Sequence, residues 1–157
     1  MQLLVSRGGA TNLADNMGRT PLMMAAYFGH TNVIDLLMSR LSLPVEKLDL
    51  CHVDQQDNTA LHLACLQSHE DCAMAILEKC SDEVIQMANS DQKTPLHISS
   101  KTGLVRVVQE LVQRGADLNA RDCDDNYPAL CCAPNLHVAE CLDSILQAML
   151  GQKGIAL

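Results

Sequence analysis

A ten-residue phrase recurs along this chain, and recurrence at a steady spacing constrains architecture more tightly than composition does. Thr20 to Gly29 reads TPLMMAAYFG, Thr59 to Ser68 reads TALHLACLQS, and Thr94 to Gly103 reads TPLHISSKTG. A degenerate fourth copy starts at Tyr127, so the anchors Thr20, Thr59, Thr94 and Tyr127 stand 39, 35 and 33 residues apart. A unit of that length cannot bury its apolar face by itself, so consecutive copies must stack on one another.

Each copy specifies a pair of helices. The hydroxyls of Thr20, Thr59 and Thr94 are suited to take an orphan backbone N–H at a helix start. Pro21 and Pro95 then fall at the first helical position, where a missing N–H is harmless, while Ala60 holds that place in the second copy. Leu22, Leu61 and Leu96 begin the buried face, and the small Ala25, Ala26, Ala64 and Cys65 let neighbouring helices approach closely. Gly29 and Gly103 end the first helix where a positive φ is wanted. Ser68 replaces them in the second copy, which makes that turn the least relaxed of the three. A second amphipathic helix follows, carried by Val33, Ile34, Leu37 and Met38, then by Cys72, Ala73, Ile76 and Leu77, and then by Leu104, Val107, Val108, Leu111 and Val112. The longest interval holds extra residues, SLPVEKLDLCH at 42–52, which are expected to form a loop packed over the ridge because Pro44 stops a helix there.

Composition agrees with stacked helices. The 157 residues amount to about one domain. Apolar residues make up 48% but aromatics only 2%, so the core is built from Leu, Ala, Val, Ile, Met and Cys rather than from the aromatic and β-branched set of a β-sandwich. The net charge of −8 argues against nucleic acid and against an anionic membrane surface as partners. It is unevenly spread: Asp54–Glu83 carries −6, Asn89–Arg121 carries +2, and Asp122–Asp143 has five acids and no base. The eight cysteines follow no secretory leader, since MQLLVSRGGA lacks a cleavable apolar core, and no stretch is long enough to span a membrane. The thiols therefore read as reduced small hydrophobes of an intracellular chain, expected in the cytoplasm with the nucleus as a second location.

A period near 33 residues headed by T-P-L-H resembles the ankyrin-repeat family, and the resemblance covers nearly the whole chain. It implies an all-α solenoid of stacked helix-turn-helix units with short hairpin loops. The expected units are the second half of a truncated repeat at 1–15, repeats at 16–53, 54–88 and 89–121, and a capping repeat with tail at 122–157. RGGATNLAD at 7–15 matches RGADLNARD at 114–122, which suggests that the chain opens inside a second helix and is a piece of a longer array. At the other end, Val138, Cys141, Leu142, Ile145, Leu146 and Met149 are expected to form one apolar stripe opposite Glu140, Asp143, Ser144 and Gln147. Finer blocks, GRTPLMMAA at 18–26, VVQELVQRGA at 107–116, YPALCCAPN at 127–135 and VAECLDSILQAM at 138–149, together resemble the C-terminal end of the large ankyrin-repeat subunits that regulate protein phosphatase 6. Tyr127 departs from the usual Thr cap. The resemblance implies a non-enzymatic scaffold whose partners are subunits of the phosphatase 6 holoenzyme and its substrates. A purely structural terminal segment of another ankyrin array, or a thiol-redox or zinc protein, are the alternatives.

The residues offer little catalytic chemistry. His62 and His97 follow Leu in the motif, and the family resemblance makes them braces between hairpins; His30 and His69 stand at another structural position of the repeat. There is no C-x-x-C pair, Cys72 falls on a buried stripe, Cys131 and Cys132 are adjacent, and no Gly-rich phosphate loop is present, so neither a metal nor a cofactor is expected. The family's partner contacts come from hairpin tips and the ends of first helices. Carried onto this chain, these are Met17, Arg19, Gln55, Gln56, Asn58, Asp91 and Lys93 at the tips, and Tyr27, Phe28, Leu66 and Lys101 at the helix ends. Tyr27 and Phe28 stand out because Phe28 is the sole Phe and Tyr27 one of two Tyr, and exposed aromatics in a concavity make binding hot spots.

Overall fold

The computed structural model describes residues 14–39, 50–128, 143–148, 150 and 151. Seven helices run through it: α1 Pro21–Phe28, α2 Thr31–Met38, α3 Ala60–Leu66, α4 Glu70–Lys79, α5 Asp82–Gln86, α6 Pro95–Thr102 and α7 Val105–Gln113. Residues 143–148 are helical as well, and no strand occurs among the described residues. Residues 1–13 of the expected truncated repeat at 1–15, most of the inserted loop, and the YPALCCAPN block beyond Pro128 lie outside the described residues.

The helices start and stop where local chemistry dictates. The Thr20 hydroxyl accepts from Met23 N–H at 3.3 Å, Thr59 from His62 N–H at 3.4 Å, and Thr94 from His97 N–H at 3.5 Å. Pro21 and Pro95 open α1 and α6. Gly29 and Gly103 close them in the left-handed region, at φ 77 and 78. Ser68 occupies the same conformation with φ 60, a place that disfavours a side chain. Space as well as φ calls for glycine at 29, since a Cβ there would stand 2.7 Å from the ring of His69.

Stacking then follows from the stripes. First helices pack on first helices (α1 on α3, α3 on α6), second helices on second helices (α2 on α4, α4 on α7), and each pair closes on itself. Leu22, Leu61, Leu96, Ile34, Leu37, Ile76, Leu77, Val107, Val108 and Leu111 are all buried in one continuous core. Each fully buried Leu or Ile of this kind contributes about 1.5–3 kcal/mol. Ala26, Ala64 and Cys65 lie wholly inside, where small side chains permit the close helix contacts.

Two features depart from expectation. The short helix α5 was not anticipated: its Val84 and Ile85 are buried and it packs on α6, extending the second repeat. Its signal was present in SDEVIQ, Ser81 to Gln86, where a cap residue precedes two acids and an apolar pair. In the terminal helical segment Ile145 is buried, but Leu146 is 45% exposed rather than part of the stripe. Adjacent residues on a helix point about 100° apart, so both cannot face one narrow seam.

Candidate functional site

The hairpin tips are built by one device used four times. Asp15 Oδ1 accepts from the N–H groups of Met17 and Arg19, each at 2.9 Å. Asp54 does the same for Gln56 and Asn58, Asn89 for Asp91 and Lys93, and Asp122 for Asp124 and Asn126. Each oxygen thus closes a local turn with two backbone donors. Gly18, Asp57, Gln92 and Asp125 hold the left-handed corner of each tip.

Successive tips are tied together. The N–H of Gln55 donates to the Met17 carbonyl at 3.1 Å, Ser90 N–H to Gln56 at 2.9 Å, and Cys123 N–H to Asp91 at 2.9 Å. Side chains repeat the linkage one layer deeper. Arg19 Nε stands 3.7 Å from Asp54 Oδ2, Asn89 Nδ2 donates to Asn58 Oδ1 at 2.9 Å, and Lys93 Nζ is 4.0 Å from Asp122 Oδ2. The turn-forming residue of one repeat therefore also meets the last tip residue of the repeat before it.

The motif histidines complete the brace. His62 Nε2–H donates to the Lys93 carbonyl at 3.0 Å, while its Nδ1 lies 2.8 Å from the Thr59 hydroxyl and accepts from Thr59 N–H. His97 repeats this with Asn126 and Thr94. Burial pushes the His62 pKa down to about 4, so the ring is neutral, as an Nδ1 facing a backbone donor requires. The first repeat has buried Met23 at this position. A different cross-repeat bond stands there, between His52 Nε2 and the Gly18 carbonyl at 2.9 Å.

Burial pushes the Cys65 thiol up to about 12 and raises Cys72 and Cys80 as well, which suppresses thiolate formation. Cys72 lies on the buried stripe, its Sγ 3.3 Å from the Thr31 hydroxyl. No group of three His, Cys, Asp or Glu is placed to hold a metal ion among the described residues.

Between tips and helix ends lies a groove. A pocket of about 360 Å³ is lined by Gln56, Asn58, Asn89, Ser90, Asp91 and Lys93 from the tips and by Leu66, Ile98, Lys101 and Thr102 from the helices. Six of the sequence-derived positions, Gln56, Asn58, Leu66, Asp91, Lys93 and Lys101, thus come together on one cavity. Asn58 is only 6% exposed and its Oδ1 is already taken by Asn89, so it is wall rather than free contact. Sequence reasoning passed over Asn89, Ser90 and Ile98; their common signal is position within the repeat, which only the stacked structure turns into proximity.

The remaining positions lie toward the first repeat. Phe28 is 56% exposed, Leu66 42% and Met17 41%, the large apolar side chains left open on this part of the molecule. Tyr27 is half-buried, edge-on to Phe28 with ring centroids 5.1 Å apart, and the Arg19 guanidinium sits 4.7 Å above its ring. Gln55 is held by its bond to the Asn16 carbonyl at 2.8 Å.

Stacked helix pairs joined by ladders of capped hairpins define a repeat solenoid whose chemistry is that of an interaction surface. The family models agree: one for ankyrin repeats in three copies matches residues 41–122, more than half of the chain, and a single ankyrin-repeat model matches residues 17–44. The chain belongs to the ankyrin-repeat family, whose repeats mediate binding to protein partners. It is similar to human (Homo sapiens) B-cell lymphoma 3 protein, 28% identical over 89% of this chain and 29% of that protein. The mouse (Mus musculus) B-cell lymphoma 3 protein homolog is 29% identical over 80% of this chain and 26% of its own length. A Caenorhabditis elegans transient receptor potential cation channel subfamily A member 1 homolog is 31% identical over 76% of this chain and 9% of that protein. The chain spans less than a third of the length of each of these relatives.

Proposed function

We propose that this chain is a non-enzymatic protein-binding segment that holds its partner in the groove between hairpin tips and first-helix ends. The observation that carries the reading is the convergence of Leu66, Lys93 and Lys101 on a cavity of about 360 Å³, with Phe28 exposed further along the same row of helix ends. The finer assignment is to a scaffold of protein phosphatase 6, acting in the cytoplasm and nucleus and bringing substrates to the holoenzyme. Its support is the sequence resemblance of GRTPLMMAA, VVQELVQRGA, YPALCCAPN and VAECLDSILQAM, because none of the relatives above is named as a phosphatase subunit.

Co-precipitation from cytosol tests both levels. The chain should bring down phosphatase 6 subunits, and Phe28→Ala with Leu66→Ala should reduce that capture while the melting midpoint changes little, since exposed side chains contribute within about 0.5 kcal/mol to folding. Capture of other proteins by the groove, with phosphatase 6 absent, would remove the finer assignment. Indifference of every capture to the groove variants would reduce the chain to a structural segment of an array.

A further inference from the structure

The charges along the groove are graded, and the grading selects a partner. Tyr27, Leu66 and Lys101 occupy the same place, seven residues after the anchor Thr, in three successive repeats. Arg19, Asn58 and Lys93 likewise occupy the last tip position before that Thr. In the first repeat the tip and helix end close on each other, with Arg19 stacked 4.7 Å from the Tyr27 ring. In the second both are uncharged, Asn58 and Leu66. In the third both are lysines, and the two line one cavity. Lys93 is drawn toward Asp122 of the next tip, 4.0 Å away, so tip and helix end are not paired with each other here and Lys101 is left on the wall of the cavity.

The rest of the cavity supports this polarity. The buried Asn58–Asn89 pair is neutral where the flanking junctions have Arg19–Asp54 and Lys93–Asp122. The ionisable lining is thus Lys93, Lys101 and Asp91; Lys93 is offset by Asp122 of the next tip, which leaves Lys101 as the cation of the cavity wall. Lys93 has a carboxylate at 4.0 Å, beyond hydrogen-bonding distance, whereas Lys101 is exposed and makes no ion pair among the described residues. Leu66 and Ile98 supply an apolar wall to the same cavity.

From this geometry we infer that the groove takes an extended peptide segment of the partner with an acidic side chain against Lys101 and an apolar side chain against Leu66. The inference rests on the groove being the binding surface and adds the chemistry of what enters it. Packed helices lie about 8–10 Å apart, and an extended chain rises about 3.3 Å per residue. The apolar residue over Leu66 therefore stands about three positions from the acid, and a second one reaching Phe28 about six positions away. Attraction in a partly desolvated cleft makes the pairing salt-sensitive and selects against basic segments.

A selection from phage-displayed random dodecamers on the intact 157-residue chain tests it. The wild type should enrich peptides with Asp or Glu about three positions from an apolar residue. Selection on Lys101→Glu should lose the acid and gain Lys or Arg there, and the best wild-type peptide, fluorescein-labelled, should bind that variant about tenfold or more weakly. Lys101→Gln, at an exposed position, checks that the loss follows charge rather than folding; it should fall between the two and lose the salt dependence. Enriched peptides without an acid, or an unchanged preference on Lys101→Glu, would overturn the acidic assignment while leaving the groove as the binding surface. A wild-type selection that enriches no peptide would overturn the inference together with the reading it rests on.

Discussion

Ser68 shows how much one residue can depart from a repeat before the backbone yields. It adopts φ 60 where its counterparts Gly29 and Gly103 sit at 77 and 78, so the backbone keeps its path and the side chain bears the strain. Ser68→Gly should raise stability by about 0.5–1 kcal/mol in urea unfolding, the relief of a left-handed non-glycine residue less glycine's greater chain entropy. His62 makes a second residue-scale case. Its folded pKa of about 4 lies below the ordinary 6.5, so the unfolded chain takes up the proton first. Stability from this site is complete above pH 6.5 and is lost as pH falls toward 4, a decline of about 3 kcal/mol in total. Chemical unfolding across that interval should show the decline, and NMR should find the His62 ring neutral at pH 5.5; an imidazole titrating near 6.5 would contradict the burial argument.

At the scale of elements, the helix ends decide which pieces are held firmly. Arg114, at the end of α7, reaches back across the stack: Nη1 to the Leu77 carbonyl at 2.5 Å, Nη2 to the Cys80 carbonyl at 2.8 Å and to Asp82 at 3.0 Å. It thereby satisfies carbonyls left over at the end of α4 and pins the start of α5. Gln86 at the end of α5 does the converse, donating to the Gly115 carbonyl at 3.0 Å and accepting from Asp117 N–H at 3.1 Å. The second repeat is thus latched to the third through its extra helix. Arg114→Ala should cost about 1–2 kcal/mol, since partly buried carbonyls lose charged donors, and should speed amide exchange in α5 while leaving α1 and α2 unchanged. Uniform loss of protection would mean that the latch is not local.

For the molecule as a whole, contacts between neighbours alone set stability in a linear stack. Helix α3 packs on α1, α4 and α6 and has six of its seven residues buried, so it has support from both sides. Its amides should exchange most slowly of all, with α1 and α7 opening at lower free energy. Slower exchange in α1 or α7 would show that stability is not carried by the middle of the stack. The same arrangement gives the groove its character. Three repeats contribute equivalent positions, and the change from Tyr27 through Leu66 to Lys101 is written across them.

Much of this was legible in the chain alone because the information is local. Thr caps, Pro at the first turn, glycine at the helix end and period-3.6 stripes all act within about ten residues, and each recurs in register with the others. Helices α1–α4, α6 and α7 follow from that repetition, and the braces at His62 and His97 from the family resemblance that it carries. Helix α5 is short and interrupts the period, so periodicity hid it, and Leu146 was assigned to a stripe from a pattern wider than the seam it faces. The pairing of Arg19 with Asp54, Asn58 with Asn89 and Lys93 with Asp122 belongs to tertiary structure, since the partners are 29–35 residues apart and meet through stacking. So does the meeting of Leu66 and Lys101 with the hairpin tips on one cavity, because residues this far apart in the chain become neighbours only when the repeats stack.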